Sequence, residues 1–500
     1  MFNHQTDWLA RWAVYTPSKM YLRDYHSGRQ WSFKEFSNIT DRFSSMLISD
    51  YGIKKGDRIG VFSRNRIEYF LLFHAAIRTG AIIVPFNFRL TPRELNGLIP
   101  DSSPALFFHE AAFTDEVSKL MSLKDVKNKL LIEDISGLLD NRSAPAAEVI
   151  CESRFDDVMM ILYTAGTTGI SKGVMITHKM LFWNAVNTTL RLDLNGNDHT
   201  QSYAPLFHTG GWNVLFTPFL FNGASHTVLP GFDPGLILKL IEEEKTTIMF
   251  GVPTMLQMMS DTEQFDKTNL SSLRYAIVGG APCPIPMINK WHSRKVWIRQ
   301  GYGLTEVGPN CFSLHQDDAV RKKGSIGFPN FYIEAKVADH EGNDSGPEKI
   351  GELWLKSPVV TPGYWNKPAE TADAITEGWF HTGDMVMRDN EGYYYVVDRK
   401  KNMFISGGEN VYPAEIEAFL YTNKAVKECA VIGVPDEKWG EVGKAFIVLR
   451  EGESLTADDF RNFCTGNLAR YKVPKYFEFS DVLPKNEAGK INKRELIKNH

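Results

Sequence analysis

Apolar and polar residues alternate along the first 300 residues in blocks that predict strands followed by helices. Residues 158–163 form a short apolar run, typical of a buried strand, and residues 178–190 then carry a helical pattern. The same reasoning predicts strands at 56–62, 81–86, 225–229, 246–250 and 274–278, and helices at 66–78, 235–244 and 253–261. Strands that alternate with helices indicate βαβ units and largely parallel sheets.

Helix ends are marked by local signals. Ser32 is followed three residues later by Glu35, the pattern of a capping box. Thr91 precedes a proline and is expected to begin another helix, and Gly80 is expected to end the helix at 66–78.

Beyond about residue 320 the pattern changes to short strands separated by dense turn signals, which predicts a β-rich subdomain. Residues 398–402 are a polar break after a strand, and the last hundred residues return to a mixed pattern. We therefore expect an α/β fold. A large N-terminal domain, residues 1–398, would combine βαβ-type subdomains with a β-rich one, and a small α+β C-terminal domain would span 399–500.

The charge and the cysteine content limit which classes of partner and which cellular compartment are expected. The net charge is −4 and no long block of like charge occurs, which disfavours nucleic acid as a partner. The five cysteines form no C-x-x-C pair, so we expect neither disulfides nor a zinc site, and a reducing compartment. The N-terminus lacks the pattern of a signal peptide, and the apolar run near 214–220 is interrupted by Thr217 and Pro218. We expect a cytoplasmic protein without an integral membrane segment.

Residues 163–173, Tyr-Thr-Ala-Gly-Thr-Thr-Gly-Ile-Ser-Lys-Gly, are the clearest candidate for chemistry. A glycine-rich loop of this kind aims backbone N–H groups, hydroxyls and one ammonium at a polyphosphate. It is not a Walker A loop, because Lys172 is followed by Gly173. Taken alone, the segment could also be a simple tight turn.

Further motifs follow along the chain and remove most of that ambiguity. They are Ala204-Pro-Leu-Phe-His-Thr-Gly-Gly211, Gly279-Gly-Ala-Pro282, Gly301-Tyr-Gly-Leu-Thr-Glu306, Gly378-Trp-Phe-His-Thr-Gly-Asp384, Asp398-Arg399 and Pro484-Lys-Asn-Glu-Ala-Gly-Lys-Ile-Asn-Lys493. In this order they resemble the adenylate-forming family of acyl-CoA synthetases, peptide-synthetase adenylation domains and luciferases. The resemblance covers essentially the whole chain and is strongest to a fatty-acid or related carboxylic-acid CoA ligase.

The resemblance implies an ATP site and a two-step reaction. An acid would attack the α-phosphate of Mg²⁺-bound ATP to give an acyl-adenylate, and coenzyme A would then take the acyl group. The phosphate loop would comprise Thr164, Ala165, Gly166, Thr167, Thr168, Gly169 and Lys172, with Ala165 standing where the family usually has serine. Tyr302 would stack on adenine opposite Gly280, Ala281 and Pro282, beside Gly301 and Gly303.

The remaining roles implied by the resemblance concern charge and movement. Thr305 would contact the α-phosphate, Glu306 would bind Mg²⁺ together with Thr164, and Asp384 and Arg399 would hold the ribose. Lys490 would bridge the carboxylate and the α-phosphate, and Lys401 would be the hinge, near 398–401, of a mobile C-terminal domain. Ser406, Gly407, Gly408 and Trp439 would contact coenzyme A, although Trp439 could equally be a core residue.

The acyl pocket is the part that the sequence specifies least. The resemblance assigns to it His208, Thr209, Gly210, Gly211, Trp212, Val278 and Gly279. His208 would lie near the acyl carboxylate and is a candidate catalytic residue, but a lone histidine is often structural. Small residues at 210, 211, 301 and 303 would leave room for an extended chain, whereas Trp212 could shorten the tunnel.

The leading expectation for the acid is a medium- or long-chain fatty acid. An aryl acid is the first alternative, and a ligase that loads a separate acyl carrier protein is the second. No arginine or lysine in the pocket segments would pair with a second carboxylate, which disfavours a dicarboxylic acid. A homodimer and peripheral membrane contact are left open.

Overall fold

The fold is described from a computed structural model of the chain. It describes residues 6–140, 149, 153–164, 171–281, 283–465, 467–485 and 491–498. Within these ranges, no helix is both long and apolar enough to cross a membrane.

The secondary structure is mixed throughout. In chain order the strands are β1 Met20–Asp24, β2 Gln30–Ser32, β3 Arg58–Phe62, β4 Ile82–Pro85, β5 Leu106–His109, β6 Asn128–Leu131, β7 Val158–Thr164, β8 Lys172–Thr177, β9 His199–Ser202, β10 Ser225–Val228, β11 Ile248–Gly251, β12 Tyr275–Val278, β13 Trp297–Leu304, β14 Gly308–Ser313, β15 Phe328–Pro329, β16 Glu334–Ala338, β17 Ile350–Lys356, β18 Ile375–Thr376, β19 Trp379–Arg388, β20 Tyr394–Arg399, β21 Phe404–Ser406, β22 Glu409–Val411, β23 Val426–Asp436, β24 Gly440–Leu449 and β25 Tyr476–Phe479. The helices are α1 Trp8–Tyr15, α2 Phe33–Ser49, α3 Ile67–Thr79, α4 Pro92–Ser102, α5 Thr114–Ser118, α6 His178–Leu192, α7 Phe216–Asn222, α8 Pro234–Glu243, α9 Pro253–Ser260, α10 Gln264–Lys267, α11 Ile285–Ser293, α12 Pro368–Ala374, α13 Pro413–Leu420, α14 Ala457–Cys464 and α15 Lys493–Lys498.

Local sequence signals account for several of these boundaries. Ser32 accepts a hydrogen bond from the Glu35 N–H while the Glu35 carboxylate accepts one from the Ser32 N–H, so the predicted capping box before α2 is confirmed. Thr91 and Glu94 form the same arrangement before α4. Gly80 ends α3 in the left-handed conformation, at φ 71°.

Three sheets make up the first 330 residues, and each is mostly parallel or mixed. The six-stranded sheet has the order β6-β5-β3-β4-β7-β8, with only the β7–β8 pair antiparallel. A second sheet has the order β11-β12-β13-β14-β15, and a third the order β2-β1-β10-β9. The predicted βαβ organisation is therefore confirmed.

Strand β13 changes partners along its length. Residues 297–300 pair parallel with β12, and Gly301 to Leu304 pair antiparallel with β14. At Gly303 a Cβ atom would lie 2.3 Å from the backbone carbonyl of Pro309, so only glycine fits this crossing. The change of partner brings residues 301–306 to the carboxyl ends of β11 and β12, where ligand sites of open α/β sheets are commonly found.

The β-rich subdomain follows as predicted. Strands β16 to β20 form one antiparallel sheet in the order β16-β17-β19-β18, with β20 on the free side of β19. Strands β21 to β25 form a separate sheet with the order β22-β21-β24-β23 and β25 beside β24. The chain passes from one sheet to the other between Arg399 and Phe404.

Apolar side chains are buried around each sheet. One cluster lies beneath β23 and β24 in the C-terminal part and includes Val431, Ile447 and Phe460. The described cysteines, Cys283, Cys311, Cys429 and Cys464, are buried and form no disulfide. No group of three metal-binding side chains was found in the part of the chain that the structure describes.

Candidate active site

The two ends of the glycine-rich segment lie side by side on adjacent strands. Thr164 ends β7 and pairs directly with Lys172, the first residue of β8. The expectation of a loop across the whole of 163–173 is therefore corrected, because Lys172 and Gly173 belong to a strand. Ala165, Gly166, Thr167, Thr168 and Gly169 lie outside the described residues.

Tyr364 connects the lysine of this hairpin to the candidate metal ligand. The Lys172 ammonium lies 4.9 Å from the centre of the Tyr364 ring, within the range of a cation–π contact. The Tyr364 hydroxyl donates a hydrogen bond to Oε1 of Glu306 at 3.1 Å. The hairpin lysine thus contacts the ring face of one buried tyrosine, and the Glu306 carboxylate contacts its hydroxyl.

The segment around Tyr364 is fixed by backbone hydrogen bonds to β8. The Trp365 N–H donates to the Gly173 carbonyl at 2.7 Å, and the Met175 N–H donates to the Gly363 carbonyl at 3.1 Å. The Thr361 N–H donates to the Glu306 carbonyl at 2.7 Å. Sequence reasoning missed this segment, although its Pro-Gly turn signal could have marked it as a loop near the sheet edge.

Glu306 is half-buried and has cations nearby. Burial raises the pKa of the Glu306 carboxyl, while the hydrogen bond from Tyr364 and the charges of Arg399 and Lys172 act in the opposite direction. Thr305 and Glu306 form a short 3₁₀ turn directly after β13. The turn leaves a carboxylate facing the lysine of the hairpin.

A second cluster joins three residues that the sequence assigned to the nucleoside. The Tyr302 hydroxyl donates to Oδ2 of Asp384 at 2.5 Å, and Nε of Arg399 lies 2.5 Å from Oδ1 of the same carboxylate. Asp384 is only 3% exposed, and its N–H donates to the Thr382 hydroxyl. β19 and β20 pair Asp384 with Arg399 in register, which explains why two residues from different motifs meet.

The glycine-rich turn after β12 is the next part of the predicted nucleotide site. Gly280 has φ 82°, a conformation that favours glycine. Ala281 is half-buried beside it, and Pro282 lies outside the described residues.

Phe250 occupies the place where the acyl pocket was predicted. Its ring atoms lie 3.2 Å from the position that a Cβ would take on Gly210 and 3.9 Å from that on Gly279. The same position on Gly279 is 3.4 Å from the Gly301 carbonyl oxygen. Three glycines and one half-buried aromatic ring therefore pack closely together at the place predicted for the acyl pocket, here named the acyl slot. Sequence reasoning missed Phe250, since its strand carries no motif.

Trp212 does not face this slot. The side chain is fully buried, and its ring contacts Tyr69, Phe70 and Phe73 at centroid distances of 5.1 to 5.6 Å. The expectation that Trp212 could shorten a tunnel is corrected. A single π-helical turn at Gly210–Val214 directs the indole into the core. Val278 is likewise fully buried.

Two glycines assigned to the pocket are required for another reason. A Cβ on Gly211 would lie 2.4 Å from the Pro205 carbonyl oxygen, and Gly303 is the crossing point described above. Their small size therefore permits backbone contact and does not open the pocket. This corrects the interpretation of these positions as space for an acyl chain.

The remaining polar residues of this loop lie at its turn. His208 is half-buried, with its ring centre 4.6 Å from that of Phe207. The Thr209 hydroxyl accepts a hydrogen bond from the Asn213 amide at 3.2 Å. A role for His208 in catalysis stays a prediction.

Asp398 ties the end of β20 to the C-terminal part of the chain. Its carboxylate accepts hydrogen bonds from the Ala414 N–H at 2.7 Å and from the Asn402 amide at 2.9 Å. Lys401 lies in the short 3₁₀ turn between these contacts. Burial lowers the pKa of Lys401, and the charges of Arg399 and Arg494 lower it further.

The residues assigned to coenzyme A lie together at one edge of the last sheet. Gly407 and Gly408 have φ values of 60° and 87°, and a Cβ on Gly407 would lie 2.9 Å from the Trp439 ring. Ser406 pairs with Gly440 across the strands. Trp439 is 47% exposed, so the alternative of a core residue is excluded.

Lys490 lies outside the described residues, but the chain on either side of it is described. Lys485 and Ile491 form an isolated β-bridge, and the Asn492 N–H donates to the Pro484 carbonyl at 2.7 Å. The Lys493 ammonium then lies 2.7 Å from Oε1 of Glu417. These contacts bring the two ends of the segment together.

Comparison with known proteins identifies the family. The profile described as AMP-binding enzyme matches residues 9–365, and that of the AMP-binding enzyme C-terminal domain matches residues 415–490. A feruloyl-CoA synthase from Amycolatopsis sp is 37% identical over 98% of this chain and 97% of its own length. A long-chain-fatty-acid–CoA ligase of Mycobacterium tuberculosis is 35% identical over 93% of this chain and 92% of its own length.

Solved structures of related enzymes agree with this family assignment. The o-succinylbenzoate CoA synthetase of Bacillus subtilis, in complex with its acyl-adenylate intermediate, superposes with a TM-score of 0.88 at 30% identity over 98% of both chains. The same enzyme has also been solved in complex with ATP and magnesium ion. With the family profile covering most of its length and CoA ligases matching it nearly end to end, this chain belongs to the AMP-binding enzyme family, among its acyl-CoA synthetases.

Proposed function

We propose that this chain is an ATP-dependent carboxylic acid:CoA ligase that activates its acid as an acyl-adenylate. A carboxylate oxygen of the acid bonds to the α-phosphorus of ATP, and pyrophosphate leaves. The sulfur of coenzyme A then bonds to the acyl carbon, AMP leaves, and the thiol gives up its proton. The observation that carries the proposal is that Lys172, Glu306 and Arg399 lie close together, so that the two cations act on the half-buried Glu306 carboxylate.

This arrangement suits a reaction between two anions. A carboxylate must approach a triphosphate, so fixed positive charge and oriented donors are needed to offset their repulsion. Lys172 supports the phosphates from the hairpin, and Arg399 supplies charge from β20. We assign Lys490 to the gap between the carboxylate and the α-phosphate.

Glu306 fits a magnesium ion by the chemistry of its donor. A carboxylate oxygen is a ligand that Mg²⁺ prefers, and Tyr364 fixes the orientation of the carboxyl group. When bound, the ion would neutralise charge on the phosphate oxygens. Asp384 fits the ribose by the chemistry of its donor set, because a carboxylate can accept hydrogen bonds from two hydroxyls and Arg399 pairs with it from the neighbouring strand.

We propose that the acid is aromatic, and we keep a fatty acid as the second candidate. We infer that a planar group fits best in the acyl slot. It would lie against the Phe250 ring and against the backbone at Gly210, Gly279 and Gly301, where no side chain intervenes. The similarity to a feruloyl-CoA synthase supports this choice. The similarity to a long-chain-fatty-acid–CoA ligase supports the second candidate.

We also propose that residues 399–500 move as a domain between the two half-reactions, with Lys401 as the hinge. The change of sheet between Arg399 and Phe404 supports a domain boundary here. The hydrogen bond from the Ala414 N–H to Asp398 would connect the moving domain to the end of β20. In this account Ser406, Gly407, Gly408 and Trp439 form the coenzyme A surface. Their grouping at one sheet edge supports that assignment.

The experiment is a pyrophosphate-release screen with paired acids, followed by detection of the acyl-CoA product. Ferulate, cinnamate, benzoate and phenylacetate would be compared with alkanoates of 6 to about 16 carbons, each with and without coenzyme A. Aromatic acids should give the higher kcat/KM. Preference for alkanoates would favour the second candidate, and pyrophosphate release without any acyl-CoA would contradict the choice of coenzyme A as acceptor.

A further inference from the structure

A pocket of about 370 Å³ opens at the opposite end of β12 and β13 from the candidate active site. It is lined by Leu190, Arg191, Asp193, Arg274, Tyr275, Trp297, Arg299, His315 and Gln316. Tyr275 begins β12 and Trp297 begins β13, whereas the residues of the nucleotide site follow the carboxyl ends of these strands. The pocket is therefore a separate cavity at the amino-terminal edge of the sheet.

Three guanidinium groups meet in this cavity. Arg299 is only 3% exposed, and its guanidinium carbon lies 4.7 Å from the centre of the Tyr275 ring. The guanidinium of Arg274 lies over the same ring at 5.5 Å. Burial, together with the neighbouring charges of Arg191 and Arg274, lowers the pKa of Arg299 to about 10. The neighbours thus disfavour the charge that Arg299 carries.

Direct ion pairs with carboxylates are made by one of the three arginines, Arg274, whereas Asp318 and Asp193 favour the charges of Arg191 and Arg299 without pairing with them. Arg274 pairs with Asp198 at 3.0 Å and with the exposed Asp193 at 3.3 Å. Within the described residues, neither Arg191 nor Arg299 forms an ion pair with a carboxylate. A buried cation without a counter-charge is costly, so a bound anion would stabilise this arrangement.

Arg191 and Arg299, the two arginines without an ion pair among the described residues, donate hydrogen bonds to backbone carbonyls. Arg299 donates to the backbone carbonyls of Leu314 and Arg191, and Arg191 donates to that of Ser313 at 3.1 Å. In the part of the chain that the structure describes, the Nε atoms of Arg191 and Arg274 are buried without a hydrogen-bond partner. Backbone carbonyls do not neutralise a guanidinium group, so an oxyanion in the cavity would supply charge-assisted hydrogen bonds that these partners do not.

We propose that this pocket is a second ligand site, separate from the catalytic centre, that binds a phosphoryl group through Arg191 and Arg299. The exposed face of Trp297, 38% accessible at the rim, offers an apolar surface to the rest of a small phosphorylated molecule. Phosphate is preferred over carboxylate because the guanidinium groups of Arg191 and Arg299 can together donate to more than the two oxygens of a carboxylate.

Inorganic phosphate is the probe, measured by isothermal titration calorimetry. The Lys172→Ala variant serves as the background, because it weakens phosphate binding at the hairpin. We expect one saturable phosphate per chain in this background. Adding Arg191→Gln should weaken binding by about 10-fold or more, and Arg191→Lys by less. Arg461→Gln removes a surface arginine that lies elsewhere and should leave binding unchanged.

Trp297→Glu gives a second test at the rim, where the side chain is 38% exposed, and a thermal melt checks that the variant is folded. The new carboxylate at the rim should weaken phosphate binding, as Arg191→Gln does. Absence of saturable binding in the Lys172→Ala background would overturn the proposal, as would equal binding by all variants. Acetate that displaces phosphate at equal concentration would overturn the assignment to a phosphoryl group.

Discussion

The Tyr364 hydroxyl donates a hydrogen bond to Oε1 of Glu306 at 3.1 Å, while the ring of the same tyrosine carries the Lys172 ammonium on its face. One side chain thus sets the distance between the lysine expected to hold phosphate and the carboxylate expected to hold Mg²⁺. Tyr364 contacts neither reacting group in this account and acts as a positioning residue.

Tyr364→Phe should keep the ring and lose the hydrogen bond. A hydrogen bond to a charged group contributes about 1.5–3 kcal/mol, so kcat/KM for Mg-ATP should fall roughly 10- to 100-fold. Since this hydrogen bond lowers the Glu306 pKa against the effect of burial, its loss should raise that pKa further. The carboxylate would then protonate at higher pH, and the acid limb of the pH–rate profile should shift to higher pH.

The control is Tyr395→Phe, which removes a hydroxyl that donates to Asp389 at 3.3 Å elsewhere in the chain. It should change neither the rate nor the pH profile. A Tyr364→Phe enzyme with lower activity but an unmoved acid limb would show that Tyr364 acts only through packing.

Phe250 and Gly210 should change the choice of acid in opposite directions. Phe250→Ala removes one wall of the slot and should raise the relative kcat/KM for bulkier acids. Gly210→Ala places a Cβ 3.2 Å from the Phe250 ring, so the ring must move and the slot should narrow. We expect shifts of roughly 10-fold or more in the ratio of large to small acids, the range typical of apolar pockets.

Gly97→Ala is the matched control, because a Cβ there has no neighbour within 4 Å. The measurement is kcat/KM for a graded series of aromatic acids. If both pocket variants lowered activity toward every acid by the same factor, Phe250 would not line the acyl slot.

The ion pair between Lys493 and Glu417 should hold α15 and, through it, the segment that carries Lys490. Burial raises the Glu417 pKa, and Lys493 opposes this. Lys493→Ala would leave the carboxylate without its cation. Both side chains are partly accessible, at 19% and 17%, so solvent screens the ion pair. We therefore expect the free energy of local unfolding to fall by about 1–3 kcal/mol, less than for a fully buried pair.

Hydrogen exchange of residues 493–498 measures this loss directly. The control is Lys485→Ala, which breaks the more exposed pair with Glu428 and should cost about 0–1 kcal/mol. Unchanged protection in Lys493→Ala would mean that α15 is held by apolar contacts such as those of Leu496.

Local sequence patterns predicted much of the fold because capping and alternation are set by neighbouring residues. The capping box of Ser32 and the parallel pairing of Met160 with Ile83 are examples. The motif resemblance also named Tyr302, Asp384 and Arg399, which meet in the structure.

Long-range packing could not be derived in the same way. Tyr364 reaches Lys172 because an unremarkable turn pairs with β8, and Phe250 faces Gly210 because two distant segments pack together. The burial of the Trp212 side chain depends on one π-helical turn, and no local sequence pattern predicts that turn.

The most direct test separates the two half-reactions in the Lys490→Ala variant. In single-turnover mixtures of enzyme, acid and ATP, the native chain should form acyl-adenylate and an equal amount of pyrophosphate, and added coenzyme A should convert the adenylate to acyl-CoA. Lys490→Ala should slow adenylate formation by about 100-fold or more, because a positive charge at the reacting oxygens is lost. It should still convert preformed acyl-adenylate to acyl-CoA at close to the native rate. Equal loss of both steps, or acyl-CoA formation without an adenylate, would contradict the account.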